Sequence, residues 1–125
     1  MAREKPYYRE TINIIQMKIG VDKVMLGVND IRKYLKCGYD KALEYLDETG
    51  KVTIFRFASM LLSGGRYEKP NFTDVVQIMQ DYFKDKVLLG INDVRKYLKC
   101  RYDTASQYFD GKAKITIFQL AAKLL

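Results

Sequence analysis

The sequence predicts an all-α protein made of two tandem copies of a small four-helix unit. The first observation is internal similarity, because residues 22–62 and 85–125 align without a gap and share 25 identities over 41 positions. Chance at ordinary residue frequencies gives about two or three. The second observation is that apolar side chains recur at helical spacing in both copies. The chain therefore reads as a tandem duplication with an offset of 63 residues.

The repeat divides the chain into residues 1–63 and residues 64–125. The linker falls at about 63–71, where two adjacent glycines and a proline interrupt the apolar periodicity. A unit of about 60 residues lies near the lower limit for an independent core. Either the two halves pack together or the protein forms a homodimer, and the sequence leaves both alternatives open.

Each copy has four predicted helices with capping residues at several of their starts. The expected helices are 8–18, 29–36, 39–46 and 53–62, then 74–83, 92–99, 102–109 and 116–125. Side-chain oxygens that accept from free backbone amides favour these N-caps: Asn29, Asn92, Thr53, Thr116 and Thr73.

The β-branched stretches 51–55 and 114–118 allow a second interpretation. Ile54, Phe55, Ala58 and Leu61 follow a helical pattern, and we therefore expect a helix here. A short β wing formed by a small hairpin is the alternative.

Charge and composition favour a nucleic-acid partner and give no candidates for catalysis. The net charge is +7, and the excess is spread over both halves rather than gathered in a tail. The chain has no histidine and only two cysteines, Cys37 and Cys100, which we expect to be free thiols that fill core space. We expect no metal, no cofactor and no catalytic residue. With no apolar signal region or membrane-length run, the expected location is cytoplasmic.

The second and third helices of each copy are short and are joined around Cys37 or Cys100. This is the layout of a helix-turn-helix, whose second helix lies in the DNA major groove. The pair resembles modules of the excisionase and phage-repressor kind. Its apolar positions are Ile31, Leu35, Cys37, Ala42 and Leu46, and in the second copy Val94, Leu98, Cys100, Ala105 and Phe109.

The chain departs from the pattern of these modules at two positions in each copy. Lys36 and Lys99 stand where the turn usually has glycine, and Arg32 and Arg95 stand where the first helix usually has alanine. We therefore expect the two helices to cross at a different angle.

A cationic face lies opposite the apolar face of the second helix. It consists of Arg32, Lys33 and Lys36 in the first copy and Arg95, Lys96 and Lys99 in the second. Neighbouring like charges on a helix repel each other by a few tenths of a kcal/mol per pair, and DNA phosphates would relieve this. The alternative is an ordinary solvated lysine face that a duplication has copied.

The predicted recognition helices differ between the copies. The second copy offers donors and acceptors suited to base edges and phosphates, at Arg101, Tyr102, Thr104, Ser106 and Gln107. The first copy has Tyr39 and Lys41, beside the more acidic and apolar Leu43 and Glu44. We expect the C-terminal copy to be the better DNA reader and Leu43 with Glu44 to be candidates for protein docking. Tyr39 and Tyr102 are expected to be exposed, whereas the other tyrosines of the helix pairs and their flanks, Tyr34, Tyr45, Tyr97 and Tyr108, are expected in the core.

The resemblance and the charge together imply a non-enzymatic double-stranded DNA-binding protein, a regulator or accessory factor of a phage or mobile element. The alternative is a protein-interaction module on the same scaffold. Such a module would be a phage inhibitor of a host nuclease complex, of the anti-CRISPR type, or an accessory subunit of a DNA-processing enzyme. RNA binding fits the charge as well, but no RNA-binding module is recognisable.

Overall fold

The computed structural model describes residues 7–21, 23–64 and 71–125. Most of these residues are helical, which confirms the all-α prediction. Both halves have the same order of elements, a helix, a strand, two helices, a strand and a helix. The first half contains α1 Tyr8–Ile19, β1 Met25–Leu26, α2 Val28–Leu35, α3 Tyr39–Leu43, β2 Val52–Thr53 and α4 Ile54–Leu62. The second contains α5 Phe72–Phe83, β3 Leu88–Leu89, α6 Ile91–Leu98, α7 Tyr102–Ser106, β4 Ile115–Thr116 and α8 Ile117–Leu124.

Each half contains a two-residue antiparallel ribbon. Met25 pairs with Thr53 in the first half, and Leu88 pairs with Thr116 in the second. Along the chain, the two short helices lie between the strands of each pair. The ribbon is therefore not the local hairpin that a β wing would form. The expected helix at 53–62 begins at Ile54, and the β-branched residues before it form the strand.

The threonine caps of the last helix in each half are confirmed. Thr53 Oγ1 accepts from the Arg56 amide at 3.2 Å, and Thr116 Oγ1 accepts from the Gln119 amide at 3.1 Å. The cap predicted at Thr73 is wrong, because Asn71 precedes the helix and its Oδ1 accepts from the Thr73 amide at 2.9 Å.

The caps predicted at Asn29 and Asn92 are also wrong. The helices begin one residue earlier, after Gly27 and Gly90. An aspartate at the third helical position reaches back in each case. Asp30 Oδ2 accepts from the Gly27 amide at 2.9 Å, and the matching distance from Gly90 to Asp93 is 2.8 Å. This reach-back bond satisfies a free amide without an asparagine cap.

The third helix of each half is shorter than predicted. It ends at Leu43 and at Ser106 rather than at residues 46 and 109. The next three amides of the first half donate to carbonyls three residues earlier, from residue 44 to 41, 45 to 42 and 46 to 43. The chain therefore tightens into turns of the 3₁₀ kind before the loop.

The two halves pack against each other and share one apolar core. In each half the first helix packs on the last helix, and the two short helices pack together. Between the halves, Thr53 Oγ1 donates to the Leu124 carbonyl at 3.2 Å, and Arg9 lies 3.6 Å from the buried Asp74. Residues 65–70 of the predicted linker lie outside the described residues, while Ser63 and Gly64 form a turn after α4.

None of the helices in the described ranges is long and apolar enough to cross a lipid bilayer.

Candidate nucleic-acid interface

The apolar positions of the helix pair are buried or half-buried. Ile31 on α2 and Ala42 on α3 are fully buried, as are Val94 and Ala105 in the second half. Leu35, Cys37 and Leu46 are half-buried. Their counterparts in the second half are Leu98 and Phe109, which are buried, and Cys100, which is half-buried.

The turns between the short helices adopt the conformation that normally requires glycine. Lys36 has φ 54° and ψ 49°, and Lys99 has φ 52° and ψ 50°. A side chain in this left-handed region costs about 1–2 kcal/mol relative to glycine. The departure from glycine therefore leaves the turn geometry intact at a cost in stability. Arg32 and Arg95 are exposed, so their bulk does not enter the space between the helices.

The six cations of α2, α6 and their C-terminal caps are all exposed. Arg32, Lys33 and Lys36 form no ion pair within residues 7–21, 23–64 and 71–125, and the same holds for the equivalent three in the second half. Other lysines have partners, such as Lys23 with Asp30 at 2.6 Å. We call these six residues the cationic face. It has no compensating carboxylate in the described part of the chain.

Asp93, the acidic residue of α6, is already engaged. Burial alone would raise the pKa of Asp93, but hydrogen bonds from Lys86 and the Gly90 amide outweigh it and lower the pKa. Lys86 Nζ lies 2.8 Å from Asp93 Oδ1. Asp93 therefore stays ionised at neutral pH. Its carboxylate accepts from Lys86 and from the Gly90 amide at the start of α6, and it forms no ion pair with the cationic face.

An open pocket of about 400 Å³ lies beside the cationic face of the second half. It is lined by Asn92, Arg95, Lys96, Lys99 and Cys100. Burial raises the pKa of the Cys100 thiol, although Arg95 opposes this. The thiol is therefore neutral at physiological pH, and its neighbours can offer only hydrogen bonds and positive charge to an anion.

The predicted recognition residues are exposed with one exception. Tyr39, Lys41, Leu43 and Glu44 are exposed on or directly after α3, and Lys41 lies 3.6 Å from Glu44. In the second half Arg101, Tyr102, Thr104 and Gln107 are exposed. Ser106 is half-buried, and its hydroxyl donates to the Asp103 carbonyl at 2.9 Å. That hydroxyl is engaged with its own helix.

An aromatic cluster that the sequence interpretation did not single out holds the first helix pair. The rings of Tyr34 and Tyr45 stand edge-on to Phe57 of α4, with centroids 5.9 and 5.4 Å away. Edge-to-face pairs of this kind add about 0.5–1.5 kcal/mol beyond their buried area. Phe57 thus ties α2 and the turn after α3 to the last helix. The core role predicted for these tyrosines is confirmed.

The second half uses a different cluster. Tyr97 is buried against Tyr82 and Phe83 of α5, with centroids 4.9 Å from each ring. Leu120 stands where the first half has Phe57. The aromatic contacts therefore come from different helices in the two halves, from α4 in the first half and from α5 in the second.

Comparisons with protein-family models, curated proteins and solved structures find no match to this chain. Within the described ranges, no group of three or more histidine, cysteine or acidic residues could hold a metal ion. The candidate interface therefore rests on the residues of the chain itself.

Proposed function

We propose that this chain is a non-enzymatic, cytoplasmic double-stranded DNA-binding protein, a regulator or accessory factor of a phage or mobile element. Its two halves are tandem copies of one helix-turn-helix unit. The 25 identities between the halves and their common order of elements support the duplication. The pairing of α2 with α3, and of α6 with α7, supports the unit.

The single observation that carries the proposal is a pair of lysines at left-handed turn positions. Lys36 and Lys99 hold a conformation that glycine adopts at lower energy. Each also adds to a cluster of like charges without an acidic partner in the described part of the chain. An anionic surface relieves the charge repulsion, and its contact with the lysine side chain offsets the backbone strain, which itself remains. The phosphate backbone of DNA is the surface that fits these three cations.

The exposed surfaces of α3 and α7 support different roles for the two halves. Arg101, Thr104 and Gln107 carry donors and acceptors that can read base edges. The equivalent positions of the first half are Gly38, Lys41 and Glu44. We therefore assign base reading to the second half and phosphate contact to both.

Fluorescence anisotropy with a random 30-base-pair duplex tests the proposal directly. Between about 50 and 200 mM salt, six phosphate contacts should lower the affinity by about 1,000-fold or more, because each contact releases counterions. A single strand of the same length is the control and should bind more weakly. Absence of duplex binding at about 50 mM salt would overturn the proposal.

Replacing Lys36 and Lys99 with glycine should stabilise the protein while weakening its binding to DNA. Glycine removes about 1–2 kcal/mol of left-handed strain but makes the unfolded chain more flexible, so each substitution should add a net of about 0.5–1 kcal/mol to the free energy of unfolding. Each should also remove roughly one counterion from the salt dependence of duplex binding. Urea denaturation and anisotropy on the same preparations measure the two effects.

Lys84 offers a matched control, because it also has a positive φ, 60°, but ends α5 outside the helix pairs. Lys84→Gly removes the same charge and should leave the salt dependence unchanged. A loss of affinity equal to that of Lys99→Gly would mean that net charge alone, and not the cationic face, controls binding.

One observation favours a protein-docking role for the first half. Leu43 is exposed one helical turn after the exposed Tyr39, so α3 presents an apolar pair where α7 has Tyr102 and the half-buried Ser106. Such a pair suits a protein surface, as in an inhibitor of a host nuclease complex or an accessory subunit. If α3 docks on a protein, Leu43→Ser should leave the affinity for a DNA duplex unchanged. If α3 enters the major groove, the same substitution should reduce that affinity.

A further inference from the structure

Equivalent residues of the two halves differ in exposure along one face. The covered face consists of Val24, Met25, Thr53 and Phe55. The open face consists of their equivalents, Val87, Leu88, Thr116 and Phe118. Val24 is 3% exposed and Val87 is 44% exposed, although the residue type is the same. Phe55 is 0% exposed and Phe118 is 46% exposed. Each member of the covered face is more buried than its equivalent.

The second half covers this face of the first half. Thr53 Oγ1 donates to the carbonyl of Leu124, the last residue of α8. Val24 lines a cavity of about 410 Å³ between α1 and α5, together with Ile78, Tyr82 and Tyr97 of the second half. The covered face is therefore part of the contact between the halves, and its counterpart in the second half has no such neighbour in the described ranges.

On the surface of the second half that covers this face, the difference in exposure between the halves is reversed. Tyr97 and Leu124 of the second half are 4% and 2% exposed, whereas their equivalents Tyr34 and Leu61 are only half-buried. The contact between the halves is therefore heterologous, since a different surface of each half takes part. One copy of each surface is used inside the molecule. The other copy of each has no partner half in the described ranges. These copies are the open face on the second half and, on the first, the surface around Tyr34 and Leu61, which Phe57 and Lys18 only partly cover.

We propose that a second copy of this chain docks on the open face with the Tyr34 and Leu61 surface of its first half. The contact would continue, between molecules, the packing that joins the halves within one molecule. Phe118 would supply apolar area, helped by an adjoining open pocket of about 220 Å³ lined by Phe72, Val76 and Gln77. Because a heterologous contact does not close on itself by two-fold symmetry, the products are head-to-tail chains or rings. This proposal is independent of DNA binding.

Sedimentation velocity of the full chain over a range of concentrations tests the proposal. The wild-type protein should shift from monomer towards dimer and larger species as its concentration rises from micromolar to millimolar. Phe118→Glu and Leu88→Glu place a charge in the open face and should each weaken association by at least tenfold. Met17→Glu is the matched control, because Met17 is exposed on α1 and belongs to neither surface. Far-UV circular dichroism should show the same helix content for all three variants.

A mixing experiment distinguishes head-to-tail contact from a symmetric dimer. Labelled Phe118→Glu protein keeps its Tyr34 and Leu61 surface and should still bind unlabelled wild-type protein, stopping growth at that end. Wild-type protein that stays monomeric at millimolar concentration would overturn the proposal. So would association that neither open-face variant weakens, or a labelled variant that cannot bind the wild-type chain.

Discussion

Alanine at Lys33, Lys36, Lys96 and Lys99 should weaken binding to any DNA duplex by about 4,000-fold at 0.1 M salt. Each phosphate contact contributes about 0.9 to the slope of log affinity against log salt, which is roughly a factor of eight at 0.1 M. Four such factors multiply to the expected loss. The slope itself should fall by about 3.6, and anisotropy titrations at several salt concentrations measure both quantities.

The control for this variant removes the same charge from lysines outside the helix pairs. It carries alanine at Lys18, Lys84, Lys112 and Lys123. If the control loses as much affinity as the first variant, binding follows net charge and the cationic face has no special role. Alanine at Arg101, Thr104 and Gln107 should instead change which sequences are preferred. A uniform loss across all sequences from that variant would contradict the assignment of α7 as the reading helix.

Phe57→Ala should cost about 3–5 kcal/mol in the free energy of unfolding, the usual range for emptying a buried aromatic site. Phe57 is fully buried and its ring contacts both Tyr34 and Tyr45. The substitution removes two edge-to-face contacts and leaves a cavity beneath α2 and the turn after α3. Urea denaturation followed by circular dichroism measures the loss, which is a large part of the stability of a domain this size.

Phe57→Leu is the control, since the second half has Leu120 at the equivalent position. It keeps most of the apolar volume and should cost less than half as much as the alanine variant. A loss below about 1 kcal/mol for Phe57→Ala would show that the aromatic cluster does not hold the helix pair to α4.

Features that depend on neighbouring residues could be predicted from the sequence. Helical periodicity located eight helices, and the Thr53 and Thr116 caps are confirmed because a cap is decided within four residues of chain. Asn29 looked like a cap by the same rule. It is not one, because the aspartate after it already satisfies the Gly27 amide. The hydrogen bond from the Gly27 amide to Asp30 caps the helix in place of Asn29, so the helix begins at Val28.

Features that depend on distant contacts could not be predicted. The β-branched stretch at Val52 pairs with Leu26 across the intervening helix pair, and no local pattern specifies that partner. Val24 and Val87 are identical residues in nearly identical surroundings along the chain, yet only Val24 is buried. Their difference comes from which half has a neighbour, so it requires the packing of the whole molecule. The exposed positions of the cationic face, by contrast, follow from the amphipathic pattern of one helix.

The two-residue ribbons also affect which parts of each half can change in amino-acid sequence. Each ribbon joins the residues just before the helix pair to those just after it, so both ends of the intervening segment are anchored. Between residues 36–50 and 99–113 the halves differ at eight of fifteen positions, but between 22–35 and 85–98 at only three of fourteen. Within residues 22–50, the substitutions therefore concentrate in the turn, α3 and the loop after it, and spare α2. Each half thus keeps nearly the same α2, while α3 and its loop are the part where one half can acquire a specificity that the other lacks.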